Sequence, residues 1–343
     1  MTVRFPAPLR PGDRIGVTSP SAGVQDKFQA RFAYCVEWLR KQGYDVVVGE
    51  CMDGSGIVSA SARQRADELT AMLTDPTIRA VVPPWGGELG IDVVAALDYD
   101  AIAAAEPTWF VGFSDISTLL TPLTLRTGIA TLHGQNLMEV PIRVPDTQLH
   151  WLDVAGAPAG ATLTQGAASL RKASMFDPID KVPDFDEWTL DQPGTWSLLD
   201  AGSGPVRVTG RLIGGCVETM APLAGTAYGD FTAFADTHAP EGLIVYLEVC
   251  EHSATDAARE LYGMRLAGWF DRATAILVGN THAPASGDFT QLDAVRFAVG
   301  DLDVPVVLDV ECGHVAPRLA LVNGALATVV VDGDTKTITQ TLA

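Results

Sequence analysis

Apolar positions along this chain switch repeatedly between short continuous runs and helical stripes, and that switching predicts the architecture. Arg14-Ile-Gly-Val-Thr-Ser-Pro reads as a strand running into a Ser/Pro/Gly loop. Over residues 25–42, Phe28, Phe32, Cys35, Val36 and Leu39 fall on one side of a helix. Gly43 ends that helix, and Tyr44-Asp-Val-Val-Val-Gly is the next strand. The alternation continues with a helix over 62–73, the strand Ala80-Val-Val-Pro-Pro-Trp and a helix over 89–97. A strand ending before Ser114, its following helix and Ile129-Ala-Thr-Leu-His-Gly complete the unit. Strands alternating with helices imply a parallel sheet covered on both faces, with ligands held at the carboxyl ends of its strands.

From about Val144 to Pro205 the periodicity weakens and Pro, Gly and Asp accumulate around Trp188 and Trp196. This stretch reads as a connection with one exposed loop, its two tryptophans forming either a satellite core or a platform for a flat ligand. A second unit starts near Val206, with strands at 206–215, 242–248, 275–280, 304–309 and 327–332 and helices at 216–223, 255–269 and 288–299. The expected division is a nucleophile domain over 1–165, a connecting segment over 166–205 and a second domain over 206–343.

Composition narrows the function. At 343 residues the chain has room for two cores, and 47% hydrophobic against 19% charged residues marks a globular protein. A net charge of −19 argues against nucleic acid polymers and anionic membrane surfaces, which bind through clustered Lys and Arg. The N-terminus lacks the apolar stretch of a signal peptide, and no apolar run approaches the roughly 18 residues of a membrane span. Five cysteines, odd in number and without Cys-x-x-Cys spacing, predict neither a disulfide framework nor structural zinc. The cytoplasm is the expected compartment.

Candidate chemistry centres on Ser114. In Phe110-Val-Gly-Phe-Ser-Asp-Ile-Ser a strand turns into a helix at one residue. A serine at such a corner projects from the sheet edge beside the helix's first unpaired N–H groups, which suit an oxyanion. The same serine would also serve as a plain helix cap, and Ile116 stands where the usual nucleophile elbow has its second glycine.

A nucleophilic serine needs a base, and the base an orienting acid. Of six histidines, His150 and His238 sit in polar loop sequence and read as solvated, and His252 reads as a surface residue. His133 and His282 each follow an apolar strand and stay open. His314 is the best placed, on a loop after the strand 304–309, with Gly313 allowing close backbone approach. For the acid, Glu248 closes the run Leu243-Ile-Val-Tyr-Leu-Glu and is expected to be buried in need of a partner, with Glu251 as rival.

Seven segments in register then resemble one family, the LD-carboxypeptidases and the related microcin C self-immunity peptidases. They are Trp85-Gly-Gly-Glu, Leu97-Asp-Tyr-Asp, Phe110-Val-Gly-Phe-Ser-Asp-Ile-Ser, Gly210-Arg-Leu-Ile-Gly-Gly, Tyr246-Leu-Glu, Leu277-Val-Gly-Asn and Cys312-Gly-His. The resemblance implies an α/β fold: a Rossmann-like (flavodoxin-like) parallel-sheet N-terminal domain plus a smaller β-rich α/β C-terminal domain. It implies a Ser-His-Glu triad of Ser114, His314 and Glu248, with an oxyanion hole from the N–H groups of Asp115 and Gly87 beside Gly86. It implies no metal or organic cofactor, and a homodimer. Leu97-Asp-Tyr-Asp-Ala-Ile, the Trp188–Trp196 loop and the length look closer to the immunity branch. That branch is similar to an amidase acting on an aminoacyl–nucleotide conjugate, with a loop tryptophan, Trp188 in preference to Trp196, stacked on the base. The alternatives are a murein tetrapeptide LD-carboxypeptidase and a non-catalytic ligand-binding paralogue.

Overall fold

The computed structural model describes residues 2–174, 177–200, 202 and 204–343. Its strands, in chain order, are β1 (Arg14–Val17), β2 (Asp45–Val48), β3 (Ile78–Val81), β4 (Trp109–Gly112), β5 (Thr131–His133), β6 (Thr162–Gly166), β7 (Leu170–Arg171) and β8 (Gln192–Pro193). After them come β9 (Ser197–Leu198), β10 (Val206–Cys216), β11 (Leu243–Glu248), β12 (Ala273–Gly279), β13 (Val306–Val310), β14 (Leu321–Asn323), β15 (Leu326–Asp332) and β16 (Thr335–Thr341).

Two sheets carry the molecule. The first runs β14-β5-β4-β3-β1-β2, its five N-terminal strands parallel in the flavodoxin-like order 2-1-3-4-5. Strands β3 and β4 are almost wholly apolar because helices cover both faces, and Trp109, Phe110 and Val111 are all buried. The second sheet runs β6-β16-β15-β10-β11-β12-β13-β9, with β10 to β13 parallel and antiparallel strands on either flank. The parallel core of this sheet aligns the carboxyl ends of β10 and β11 in register, so Cys216 sits beside Glu248.

The stretches of chain exchange strands. β14, from deep in the C-terminal half, pairs antiparallel with β5 at the edge of the first sheet. β6, at the end of the N-terminal stretch, pairs with β16 at the edge of the second. Between the sheets lies the helix Ser117–Thr127, buried over residues 117–124 on every face. Its threonines make that burial tolerable: the Thr121 hydroxyl donates to the Gly214 carbonyl at 2.8 Å, and Thr124 meets Thr131 at 3.0 Å. The segment that leaves Ser114 is therefore clamped from both sides.

Candidate active site

Ser114 stands immediately past β4, at the head of a short 3-10 turn (Ser114–Ile116) that leads into the buried helix. Its φ is +66°, a left-handed conformation that costs a residue with a Cβ and that lifts its side chain off the sheet edge. Glu248 is the last residue of β11 and has no exposed side-chain surface. His314 follows β13 on the loop 311–318.

These three side chains, from two sheets and 200 residues of chain, meet in one line. His314 Nε2 lies 2.9 Å from Ser114 Oγ, and His314 Nδ1 lies 3.0 Å from Glu248 Oε2. Gly313 permits the approach, because a Cβ there would fall 2.5 Å from Glu248 Oε2. Burial penalises the Glu248 charge, but the facing His314 ring outweighs it and keeps the carboxyl below its ordinary range. Burial likewise penalises a charged His314, and the Glu248 carboxylate, with hydrogen bonds that the ring donates to Cys250 and Glu248, outweighs that and raises the imidazole well above its usual value. Each partner thus favours the charged form of the other.

The ring is held from behind as well. His314 packs on Phe113 with centroids 5.1 Å apart, and the Arg318 guanidinium lies 4.4 Å over the Phe113 ring. Arg318, itself buried, donates to the carbonyls of Gly313 and His314 and to Glu139 Oε1, so the base-bearing loop is tied to the first sheet's side of the cleft. Sequence reading gave Arg318 no role. It lies only four residues past His314, but a basic residue after Pro317 carries no local signal of the contacts it makes.

On the opposite side of Ser114 runs the loop 83–90. A Cβ on Gly86 would lie 2.9 Å from both Ser114 Oγ and the Asp115 amide nitrogen, so only glycine lets this backbone pass. The buried Asp115 carboxylate accepts hydrogen bonds from the Gly90 N–H at 2.7 Å and from the Ser21 and Thr118 hydroxyls. One side chain therefore locks the 83–90 loop, the Ser21 loop and the serine turn together, and fixes the direction of its own N–H.

The cleft around Ser114 encloses about 890 Å³, lined among others by Phe28, Trp85, Gly86, Gly87, Glu88 and Cys216. Glu218, Cys250, Glu251, His252 and Arg318 complete the far wall. Another depression of about 910 Å³, around Tyr262, Phe297 and Leu302, holds no nucleophile–base pair among the described residues. Among the described residues, the three basic side chains on the triad cleft each already have a carboxylate: His314 has Glu248, Arg318 has Glu139 and His252 has Glu260.

The remaining candidates separate cleanly. His133 is a core histidine against Phe113 and Tyr246, held neutral by burial with its pKa down at about 4. His282 binds the Lys172 carbonyl. His150 is not solvated as expected: it caps the helix Trp151–Ala155, its Nε2 meets the Val140 carbonyl, and burial brings its pKa to about 4. His252, expected at the surface, is indeed exposed yet lines the cleft. Glu251 is exposed at the cleft rim, and the bond to His314 belongs to Glu248.

Neither tryptophan of the connecting segment reaches the cleft lining. Trp196 is 1% exposed, with Nε1 donating to Glu311 at 2.6 Å in the second sheet's core. Trp188 is 6% exposed, packed on Ile142 and Ala316, with the Arg318 guanidinium 5.6 Å from its ring. Besides Phe113 beneath His314, the aromatic residues lining the cleft are Trp85 and Phe28, edge to face at 4.8 Å, with Trp85 Nε1 anchored on the Gly23 carbonyl.

A two-domain α/β chain with this cleft between its sheets falls in the class of peptidases, hydrolases of amide bonds. Residues 15–134 match the LD-carboxypeptidase N-terminal domain and residues 209–329 the LD-carboxypeptidase C-terminal domain, and the chain belongs to this family, peptidase family S66. It is 26% identical over 345 residues to the microcin C7 self-immunity protein MccF of Escherichia coli, spanning 98% of this chain and 95% of that protein. It is 25% identical over 329 residues to the murein tetrapeptide carboxypeptidase of Pseudomonas aeruginosa, spanning 94% of each. MccF in complex with aspartyl sulfamoyl adenosine has the same fold, with a TM-score of 0.82 at 24% identity over 98% of both chains.

Proposed function

We propose that this chain is a serine amidase that hydrolyses the amide bond of a small aminoacyl–nucleotide conjugate, with Ser114 as nucleophile, His314 as general base and Glu248 as its orienting acid. The observation that carries the reading is the unbroken line from Ser114 Oγ through His314 to Glu248 Oε2, at 2.9 and 3.0 Å. His314 Nε2 takes the Ser114 proton as Oγ attacks the carbonyl carbon. The tetrahedral oxyanion is held by the N–H groups of Asp115 and Gly87, the latter next to the glycine whose backbone brushes Ser114. His314 then passes the proton to the leaving amine, and water cleaves the acyl-enzyme by the same steps.

The substrate class follows from the cleft's walls. No basic side chain among the described lining residues is left to seat a free terminal carboxylate, since each already faces a carboxylate of its own. The exposed edge of the Trp85–Phe28 pair offers an apolar face for a flat base, a contact of roughly 1–3 kcal/mol per base. MccF, whose solved complexes hold aspartyl sulfamoyl adenosine, supports the same direction. Five free cysteines fit a reducing cytoplasm, and a homodimer is the expected assembly by family resemblance.

Mass spectrometry of wild type and Ser114→Ala with two substrates tests this. Release of the amino acid from an aminoacyl sulfamoyl adenosine, lost in the variant, is the expected result. Loss of D-alanine from an L,D-linked murein tetrapeptide in place of that reaction would make the chain a murein carboxypeptidase. Cleavage of neither would make it a ligand-binding relative.

A further inference from the structure

We propose that Cys216, Glu248 and His314 also form a binding site for a thiophilic divalent cation of the zinc class, and that its occupancy switches hydrolysis off. The second half of that statement rests on the triad reading above; the first half does not.

Strand register brings the donors together. Cys216 ends β10 and Glu248 ends β11, paired side by side on neighbouring parallel strands, while the loop 311–318 lowers His314 onto them. One donor atom from each, a thiol sulfur, a carboxylate oxygen and an imidazole nitrogen, lies within 4.8 Å of the other two. Around a tetrahedral zinc such donors stand about 3.5 Å apart, so the His314–Glu248 pair, now 3.0 Å apart, would part slightly while the Cys216 sulfur moves in. A mixed S/N/O set of this kind favours zinc-class ions over magnesium or calcium, which prefer oxygen alone.

A second observation points the same way. Glu248 Oε2 is used by His314, while the Cys216 thiol beside the carboxylate donates to Glu218 at 3.4 Å and leaves the fully buried Oε1 without an aligned donor. A buried carboxylate oxygen without a donor is a costly arrangement unless a positive group can reach it. The three donors leave a fourth position for water from the cleft that Cys216 and His314 line. The neighbouring Glu88, Glu218 and Glu251 give that wall of the cleft an acidic bias that draws cations in.

Binding is balanced by loss to solvent of the Cys216 thiol proton and of the His314 ring proton that faces Glu248, as the sulfur–metal and nitrogen–metal bonds form. The cation then holds the Glu248 carboxylate and a nitrogen of His314, and Ser114 loses its proton acceptor.

Cobalt(II), a spectroscopic stand-in for zinc, tests the site on the purified full chain. Titration is expected to give a near-ultraviolet thiolate-to-cobalt charge-transfer band saturating at one equivalent, abolished by excess Zn²⁺. Ser114→Ala, which cannot turn over but keeps all three donors, should give the same band. Cys216→Ser should lose the band and should raise the Zn²⁺ concentration needed for half-inhibition by about 10–100-fold or more. Inhibition of the wild type should reverse with a chelator. No band in wild type, or a band that persists in Cys216→Ser with its thermal unfolding unchanged, overturns the proposal. A wild type that binds cobalt but hydrolyses nothing would instead overturn the amidase reading and leave the metal site standing.

Discussion

Replacing Glu248 by glutamine removes one charge while keeping the side chain's volume, and the consequences can be worked from its surroundings. The carboxylate is fully buried and outweighs the desolvation that would otherwise disfavour a protonated His314. His133 shows what happens to a buried imidazole without such a partner, since burial takes its pKa down to about 4. His314 must be neutral to accept the Ser114 proton, so the acid limb of kcat/KM reports its pKa. In the wild type that limb should lie above the ordinary histidine value. In Glu248→Gln it should move below that value, towards the His133 case, because burial then loses its chief opponent, the Glu248 charge. The rate itself should fall by roughly 10³–10⁴-fold, which is about 4–5.4 kcal/mol of transition-state stabilisation, as the imidazolium formed during attack loses its counter-charge. The assay is the pH profile of amino-acid release from an aminoacyl sulfamoyl adenosine, together with thermal unfolding to verify the fold. A limb that stays in place or moves to higher pH, or a loss under tenfold, would refute the reasoning.

Other outcomes follow from the same geometry. Ser114→Gly should be more stable than Ser114→Ala by about 1 kcal/mol, because glycine alone relieves the positive φ; urea unfolding checks it, and the opposite order would count against a strained corner. Gly86→Ala should reduce kcat by at least about 10²-fold with an intact fold, since its methyl would press on Ser114 Oγ and the Asp115 N–H, and the Michaelis parameters decide. Trp85→Ala should raise KM for a nucleoside substrate by roughly tenfold, at a smaller cost in stability than removal of a fully buried ring. Trp196→Ala should instead cost about 3–5 kcal/mol of stability, because that ring is core, and the two variants' kinetics and melting curves separate the roles.

The sequence carries the parts of this site that depend on local order. A strand, a corner and a helix around Ser114 are readable from the run Trp109 to Leu120, and β1, β2, β4 and β5 lie where periodicity puts them. β3 (Ile78–Val81) instead ends before Pro83 and Pro84 of the expected 80–85 run, since proline cannot donate to the ladder. Glu248 and His314 are legible for the same reason, each at or just past the carboxyl end of an apolar strand. What the chain does not announce is long-range. Trp188 and Trp196 look alike as aromatic residues in a Pro- and Gly-rich stretch, and only the folded contacts with Ile142, Ala316 and Glu311 bury both. Trp85 stands in the glycine motif beside Ser114, yet its exposure to the cleft depends on Phe28 from another element. The helix 117–127 lacks an amphipathic stripe because two sheets enclose it, a context that no local period records. β14 illustrates the limit best: three residues that pair with β5 come from the opposite end of the chain.

The central claim is that Ser114 is a nucleophile activated by His314. Covalent labelling with a fluorophosphonate, followed by peptide mapping in a mass spectrometer, tests it most directly. A single adduct on Ser114, lost in Ser114→Ala and slowed by orders of magnitude in His314→Ala, is the expected result. An active wild type that carries the label elsewhere, or that labels equally well without His314, would contradict it.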